Sequence, residues 1–294
     1  MQEISFFFSQ LINGLTIGMV YGLIAVGLSL IFGVMKIVNF AHGEFYMLGA
    51  YTFYYLGTLF GIPMPISVII TFLVLAAIGS ATERILLSPL EKPGFFERRE
   101  EYPIIITFAL SILLQNFAVI VFSPWTKSPP SIIGGVTTLG TISIGTDRVF
   151  AGGVSIIVLI LLYFIVNKTK IGMALRATSQ DRDAASLFGV NIRFIYIFSW
   201  AVASMLAGLA GILLSPVFLI SPDMGASPCL KAYVILVLGG LGSIRGAFAG
   251  SLILGVVESL GSAYISDAYR DAYGFIILIM TLLFRPQGIF GERG

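Results

Sequence analysis

The sequence predicts an all-α, polytopic integral membrane protein of about eight to nine transmembrane helices, some of them short or broken. Three observations predict it. Hydrophobic residues make up 57% of the 294 residues and charged ones only 11%, whereas soluble domains carry about 25% charged residues. The stretches Ile4–Met35, Phe45–Thr82 and Phe194–Pro222 contain no Asp, Glu, Lys or Arg, and a bilayer-spanning helix needs roughly 20 apolar residues. The polar connections are too short to bury a soluble core, so one membrane domain over residues 1–294 accounts for the chain.

Taken in order, spans are expected at about 10–32, 38–60, 64–82, 103–122, 150–166, 193–215, 230–242, 246–263 and 272–284. The N-terminus, MQEISFFF, lacks a basic n-region, and the first Lys is Lys36. The first apolar segment is therefore expected to stay as a helix rather than be cleaved. Gly61-Ile62-Pro63-Met64-Pro65 divides the second and third spans with a turn. After the fourth span, SPPSIIGG forms turns and TTLGTISIG alternates weakly, as a short hairpin does. That connection is either a plain loop or a docking surface. The seventh span is short, hence broken or re-entrant, which is tolerated where protein or water covers the backbone.

Charge sets the expected orientation. With the N-terminus outside and the spans alternating, Lys36, Arg84, Lys92, Arg98, Arg99, Lys168, Lys170, Arg176, Arg182, Arg193, Arg245, Arg285 and Arg293 fall inside. Only Lys127, Arg148, Lys231 and Arg270 fall outside. The positive-inside rule then makes the C-terminus cytoplasmic. A lone cysteine, Cys229, excludes an internal disulfide and a cysteine-based metal cluster.

The longest charged excursion, about residues 168–193, reads KTKIGMALRATSQDRDAASLFGVNIR and joins two apolar spans. Ser179 and Asp181 suit a helix start, and Gly189 suits a helix end. A short helix is expected between them, with small Ala184 and Ala185 and bulky Phe188 as an anchor. Ala184 and Phe188 lie four residues apart and share a face. Arg176 and Arg182 are placed to pair with acids of a partner. A solvated basic loop is the other reading.

Ionisable residues inside apolar segments point to function. Asn39, His42 and Glu44 form a polar cluster between the first two spans and include the sole histidine. They either gate a path or lie at the interface, where Asn39 would cap the second helix near Lys36. One His and one carboxylate are too few for a metal site. Glu258 is a carboxylate within the eighth span, either lining a path or bonding a neighbouring helix. Gly239, Gly240 and Gly242 begin a glycine-rich run that either borders a translocation path or packs helices closely. Gly33 before the first cluster and Gly242 before Arg245-Gly246 hint at two related halves.

The Asp183-Ala184-Ala185…Gly189 spacing resembles the EAA-x3-G loop of ABC importer permeases, with Asp in place of Glu and without the Ile-x-Leu-Pro that usually follows. TKIGMALRATSQDRDAASLFGVN, WAVASMLAGLAGIL, NFAHGEFYMLGAY, VLGGLGSIRGAFAG and LLFRPQGIFG together resemble the permeases of the branched-chain amino acid importer family, more the shorter of its two paired permeases than the longer. The resemblance implies a subunit in the cell (inner) membrane that pairs with a second related permease. It implies two ABC ATPase subunits below and a substrate-binding protein outside. ATP and Mg would then be bound by the ATPases and no cofactor by this chain, which has no G-x4-G-K-[ST] loop. Arg176, Asp181, Arg182, Asp183, Ala184, Ala185, Phe188 and Gly189 would form the coupling segment. Rival readings are a permease for urea or short amides on the same fold, or a stand-alone secondary transporter. No nucleophile–base pair supports an enzyme, and nothing points to nucleic acid.

Overall fold

The computed structural model describes residues 2–91, 101–139 and 142–290. Lys92, Arg98, Arg99 and Arg293, which entered the charge count, lie outside the described residues. Eleven α-helices account for the described chain, with one small hairpin. They are α1 (Gln2–Met35), α2 (His42–Thr58), α3 (Met64–Ala81), α4 (Glu101–Phe122), α5 (Thr146–Lys168), α6 (Lys170–Gln180), α7 (Arg182–Leu187), α8 (Ile192–Leu214), α9 (Ala226–Gly239), α10 (Ile244–Tyr264) and α11 (Arg270–Phe284). Six of these, α1, α3 with its π-helical extension to Leu87, α4, α5, α8 and α10, are long and apolar enough to cross a membrane.

Punctuation residues place the ends. Gly61 takes φ +60° before α3, whose N-cap is Pro63 and whose first turn holds Pro65, where a missing N–H costs nothing. The expected hairpin forms: β1 (Val136–Leu139) pairs antiparallel with β2 (Ile142–Gly145). The Asp147 carboxylate accepts the Ile133 N–H at 3.0 Å and so fixes the loop to the start of α5. The C-terminal tail folds back on α9, where the Ile289 and Phe290 N–H groups donate to the Leu238 and Gly239 carbonyls at 2.9 and 3.0 Å. Those are orphan carbonyls of a helix end, which need partners where water is excluded.

α1 is the axis of the molecule. Its most apolar stretch is 89% buried, against 17% for α4, so α1 is wrapped by protein while α4 turns most of its surface outward. α1 and α10 lie antiparallel at backbone contact: a Cβ on Gly14 would sit 2.7 Å from the Gly255 carbonyl, and one on Gly18 2.7 Å from that of Ser251. Small residues permit this approach, which van der Waals packing rewards in lipid. Arg148 near the start of α5 donates to Asn13 near the start of α1 at 2.5 Å. Buried hydroxyls on α3, α5 and α8 donate to carbonyls one turn back, as Thr71, Ser155 and Ser199 do, which satisfies those donors within their own helices.

Candidate functional site

The charged excursion folds as two helices at the end of the bundle where α1 and α5 finish. Thr169 caps α6, its hydroxyl accepting the Gly172 N–H at 3.1 Å. Asp181 caps α7 by accepting the Ala184 N–H at 2.9 Å. Gly189, at φ +85°, closes α7: its N–H donates to Ser186 at 3.0 Å and that of Val190 to Ala185 at 3.1 Å. Ala185 is buried, Asp183 is exposed, and Leu187 and Phe188 are each 89% exposed. Arg182 lies over the Tyr196 ring, 5.5 Å from its centroid. Two expectations are corrected. The Ser179 hydroxyl donates to the Arg176 carbonyl and caps nothing in α7. The Arg176 guanidinium donates to the Val166 carbonyl of α5, so it ties α6 to the bundle. Leu187 was missed, although a second large apolar residue beside Phe188 in a charged segment was a readable signal. Asp181→Ala should remove about 1 kcal/mol of local stability, read as roughly fivefold faster amide exchange in α7.

The Asn39–Glu44 cluster lies inside the bundle, with Asn39, His42 and Glu44 all buried. Lys36 takes φ +58° and turns the chain back, and residues 37–41 climb alongside α1 before α2 begins. His42 Nε2 donates to the Ile24 carbonyl at 2.9 Å, roughly 16 Å of helix before α1 ends. Asn39 and His42 are fully buried. Asn39 does not cap α2; its Oδ1 accepts the Ala41 N–H at 3.1 Å, and its carbonyl accepts the Tyr233 hydroxyl at 2.6 Å. Glu44 Oε1 accepts the Ser111 hydroxyl at 2.9 Å. The starts of α2 and α9 touch, since a Cβ on Gly43 would meet the Gly225 carbonyl at 2.2 Å. Neither helix start has a side-chain cap. Two helices thus begin inside the protein, the arrangement that places helix-terminal charge within a transporter.

Glu258 proves to be the centre of a charge cluster. Its Oε2 accepts from Lys231 Nζ at 2.7 Å and Arg270 Nε at 3.3 Å, and from the Tyr21 hydroxyl at 3.4 Å. Lys231 also meets Asp271 Oδ1 at 3.1 Å and the Tyr21 hydroxyl at 3.3 Å. Four helices, α1, α9, α10 and α11, converge here. Lys231, expected in an outer connection, is instead buried within α9, because α9 starts at Ala226 inside the bundle. The cluster borders a cavity of about 540 Å³ that reaches the surface at Leu219 and Asp271.

The glycines lie at the opposite end. A Cβ on Gly239 would come within 2.2 Å of the Gly246 backbone, so α9 and α10 meet there at main-chain contact. Gly240 and Gly242 take φ +104° and +81° in the α9–α10 turn, a conformation side chains disfavour. Gly242 packs on Gly33, so these two glycines are neighbours. Ser29 of α1, Arg176 and Ser179 of α6, and Gly242 line a shared cleft of about 80 Å³. The groups expected to couple and the groups expected to line a path are therefore adjacent at this end.

Among the described residues, an all-α bundle of apolar helices, six of them long enough to cross a membrane, with internal helix starts and buried charge, makes this a multi-pass membrane protein. Residues 10–284 match the model of the family described as branched-chain amino acid transport system / permease component, and the chain belongs to that family. It is 33% identical to the high-affinity branched-chain amino acid transport system permease protein BraD of Pseudomonas aeruginosa, over 99% of this chain and 98% of that protein. It is 31% identical to the LivH permease protein of Escherichia coli K12, over 99% and 97%, and 26% identical to the LivM permease protein of the same organism, over 93% and 68%. Among solved structures, PsaBC from Streptococcus pneumoniae in complex with Fab matches with a TM-score of 0.52 at 13% identity, covering 95% of this chain and 92% of that one. That likeness concerns the fold alone.

Proposed function

We propose that this chain is a permease subunit of an ABC importer for branched-chain or similar apolar amino acids. It works beside a second, related permease, with two ATPase subunits on its cytoplasmic side and a binding protein delivering substrate outside. ATP and Mg belong to the ATPases. The N-terminus is outside and the C-terminus cytoplasmic, as the charge distribution favours.

One observation carries the reading beyond the family: α7, capped by Asp181 and closed by Gly189, holds Leu187 and Phe188 out from the bundle, each 89% exposed. Large apolar side chains fixed at the tip of a charged excursion, away from the apolar spans, suit an apolar groove on another protein. α6 ties this tip to α5 and α1 through Arg176 and the shared cleft, so a push on α7 reaches the spanning helices. Substrate specificity is assigned largely to the binding protein.

The test is co-purification of the chain with the ATPases encoded beside it. Leu187→Asp together with Phe188→Asp should lower ATPase recovery and ATP-driven leucine import at least tenfold. Parental recovery in that variant removes the coupling role from α7. Leucine transport by the purified chain alone, without ATPase or ATP, overturns the importer reading.

A further inference from the structure

Apolar residues of similar volume could replace a buried ion pair without loss of stability, yet a charge cluster surrounds Glu258 and borders open space. The cavity of about 540 Å³ lies within the range of small-molecule sites, roughly 300–1,000 Å³. One wall is charged, from Lys231, Arg270 and Asp271; the other is apolar, from Leu214, Phe218 and Met224. Two cations and two carboxylates meet there, so their formal charges cancel. A ligand of no net charge preserves that balance. A net ion would sit uncompensated where a low dielectric magnifies its cost.

The hydrogen-bonding capacity is specific. Lys231 has three N–H donors, and it contacts Glu258, Asp271 and Tyr21. Arg270 bonds Glu258 through Nε and lies over the Phe218 ring, 5.9 Å from its centroid. Its terminal nitrogens form the planar fork that suits a carboxylate. Asp271 meets Lys231 through Oδ1 and its side chain is 64% exposed, which leaves a carboxylate oxygen for an ammonium. α9 begins beside the cavity without a side-chain cap, and its positive end favours a carboxylate in the same place.

We propose that this cavity is where the permease itself holds the free substrate: an α-amino acid as a zwitterion, its carboxylate on Arg270, its ammonium on Asp271 and its aliphatic side chain against Leu214, Phe218 and Met224. The proposal rests on the amino-acid importer reading and adds to it a binding site within this chain.

The test uses the complete importer in proteoliposomes, with leucine and valine loaded on saturating binding protein. Arg270→Gln removes the carboxylate partner and keeps the Lys231–Glu258 pair. Met224→Trp narrows the apolar wall. Arg270→Gln should lower leucine import at least tenfold while the variant chain co-purifies with its ATPases in parental amount. Met224→Trp should lower leucine import at least threefold relative to valine. Leucine import within twofold of parental in both variants overturns the site, as does a loss accompanied by failed assembly in both. A parental complex that imports neither amino acid overturns the substrate reading instead.

Discussion

Leucine in place of Glu258 is expected to cost about 3 kcal/mol, the lower end of the penalty for removing one member of a buried ion pair, because Lys231 keeps Asp271 at 3.1 Å. Lys231 and Arg270 both donate to Glu258 Oε2, at 2.7 and 3.3 Å. Lys231 is buried and the Arg270 side chain is only 26% exposed, so neither cation regains full hydration when the carboxylate goes. Glutamine should cost less, because its carbonyl still accepts hydrogen bonds. The informative variant is the double change Glu258→Leu with Lys231→Met. It removes the stranded ammonium along with the carboxylate and leaves Arg270 beside Asp271. Recovery of at least half the lost stability is expected, since an apolar pair can replace a buried ion pair at little cost. Thermal unfolding of the purified protein in detergent measures all three. A Glu258→Leu variant within 1 kcal/mol of parental would show that the cluster is not the electrostatic unit described here, and additivity of the two substitutions would show that Lys231 and Glu258 are not coupled.

The all-α fold was legible from long apolar stretches and α7 from its ends, whereas α6 (Lys170–Gln180) was not expected. Asp181 and Gly189 act locally, and local hydrogen bonds are what short sequence patterns report. The hairpin after α4 followed from its turn residues for the same reason. Partners across the bundle were not legible. Glu258 stood out as a carboxylate within an apolar span, but Tyr21 lies 237 residues away in sequence and Lys231 27. Counting Lys231 among outer cations assumed that each helix starts at a membrane surface, and α9 starts inside. The pairing did have a signal, a lone Lys in α9 and a carboxylate deep within the next apolar helix. The position of Asn39 and His42 was misjudged by a related assumption, that nearness to Lys36 in sequence means nearness in depth. Extended residues advance about 3.3 Å or more each, so the short climb after the reversal at Lys36 carries His42 to the level of Ile24.

α1 gives the three sites a common element. It presents Tyr21 to the charge cluster, the Ile24 carbonyl to His42, and Ser29 and Gly33 to the cleft lined by Arg176 and Gly242. α6 is seated against the end of α1 at that cleft and against α5 through Arg176. The cavity meets α1 at Tyr21, near the middle of the helix, and the cleft beside α6 meets it at Ser29 and Gly33, toward its end.

The close contact of α2 with α8 should tolerate no added atom. A Cβ on Gly211 would lie 2.0 Å from the Tyr46 carbonyl and 3.3 Å from the Ala50 nitrogen, and one on Gly49 2.4 Å from the Gly208 Cα. These are main-chain atoms, so no side chain can swing aside and the helices must separate. Overpacking costs about 1–3 kcal/mol, and the loss of backbone-level contact in lipid, where apolar burial no longer drives association, adds to it. Gly211→Ala is therefore expected to lower stability by about 3 kcal/mol and to loosen the seat of α2, which carries His42 and Glu44. Gly57, in the same α2, supplies the control: a Cβ there meets nothing within 4 Å. Gly57→Ala should be neutral or stabilise by up to about 1 kcal/mol, because alanine restricts the unfolded chain and favours the helix. Both variants differ from the parent by one methyl group, so helix propensity alone predicts a gain for each. Thermal unfolding that places Gly211→Ala level with Gly57→Ala would mean that α2 and α8 do not approach at main-chain distance, and that His42 and Glu44 are held by something other than this packing.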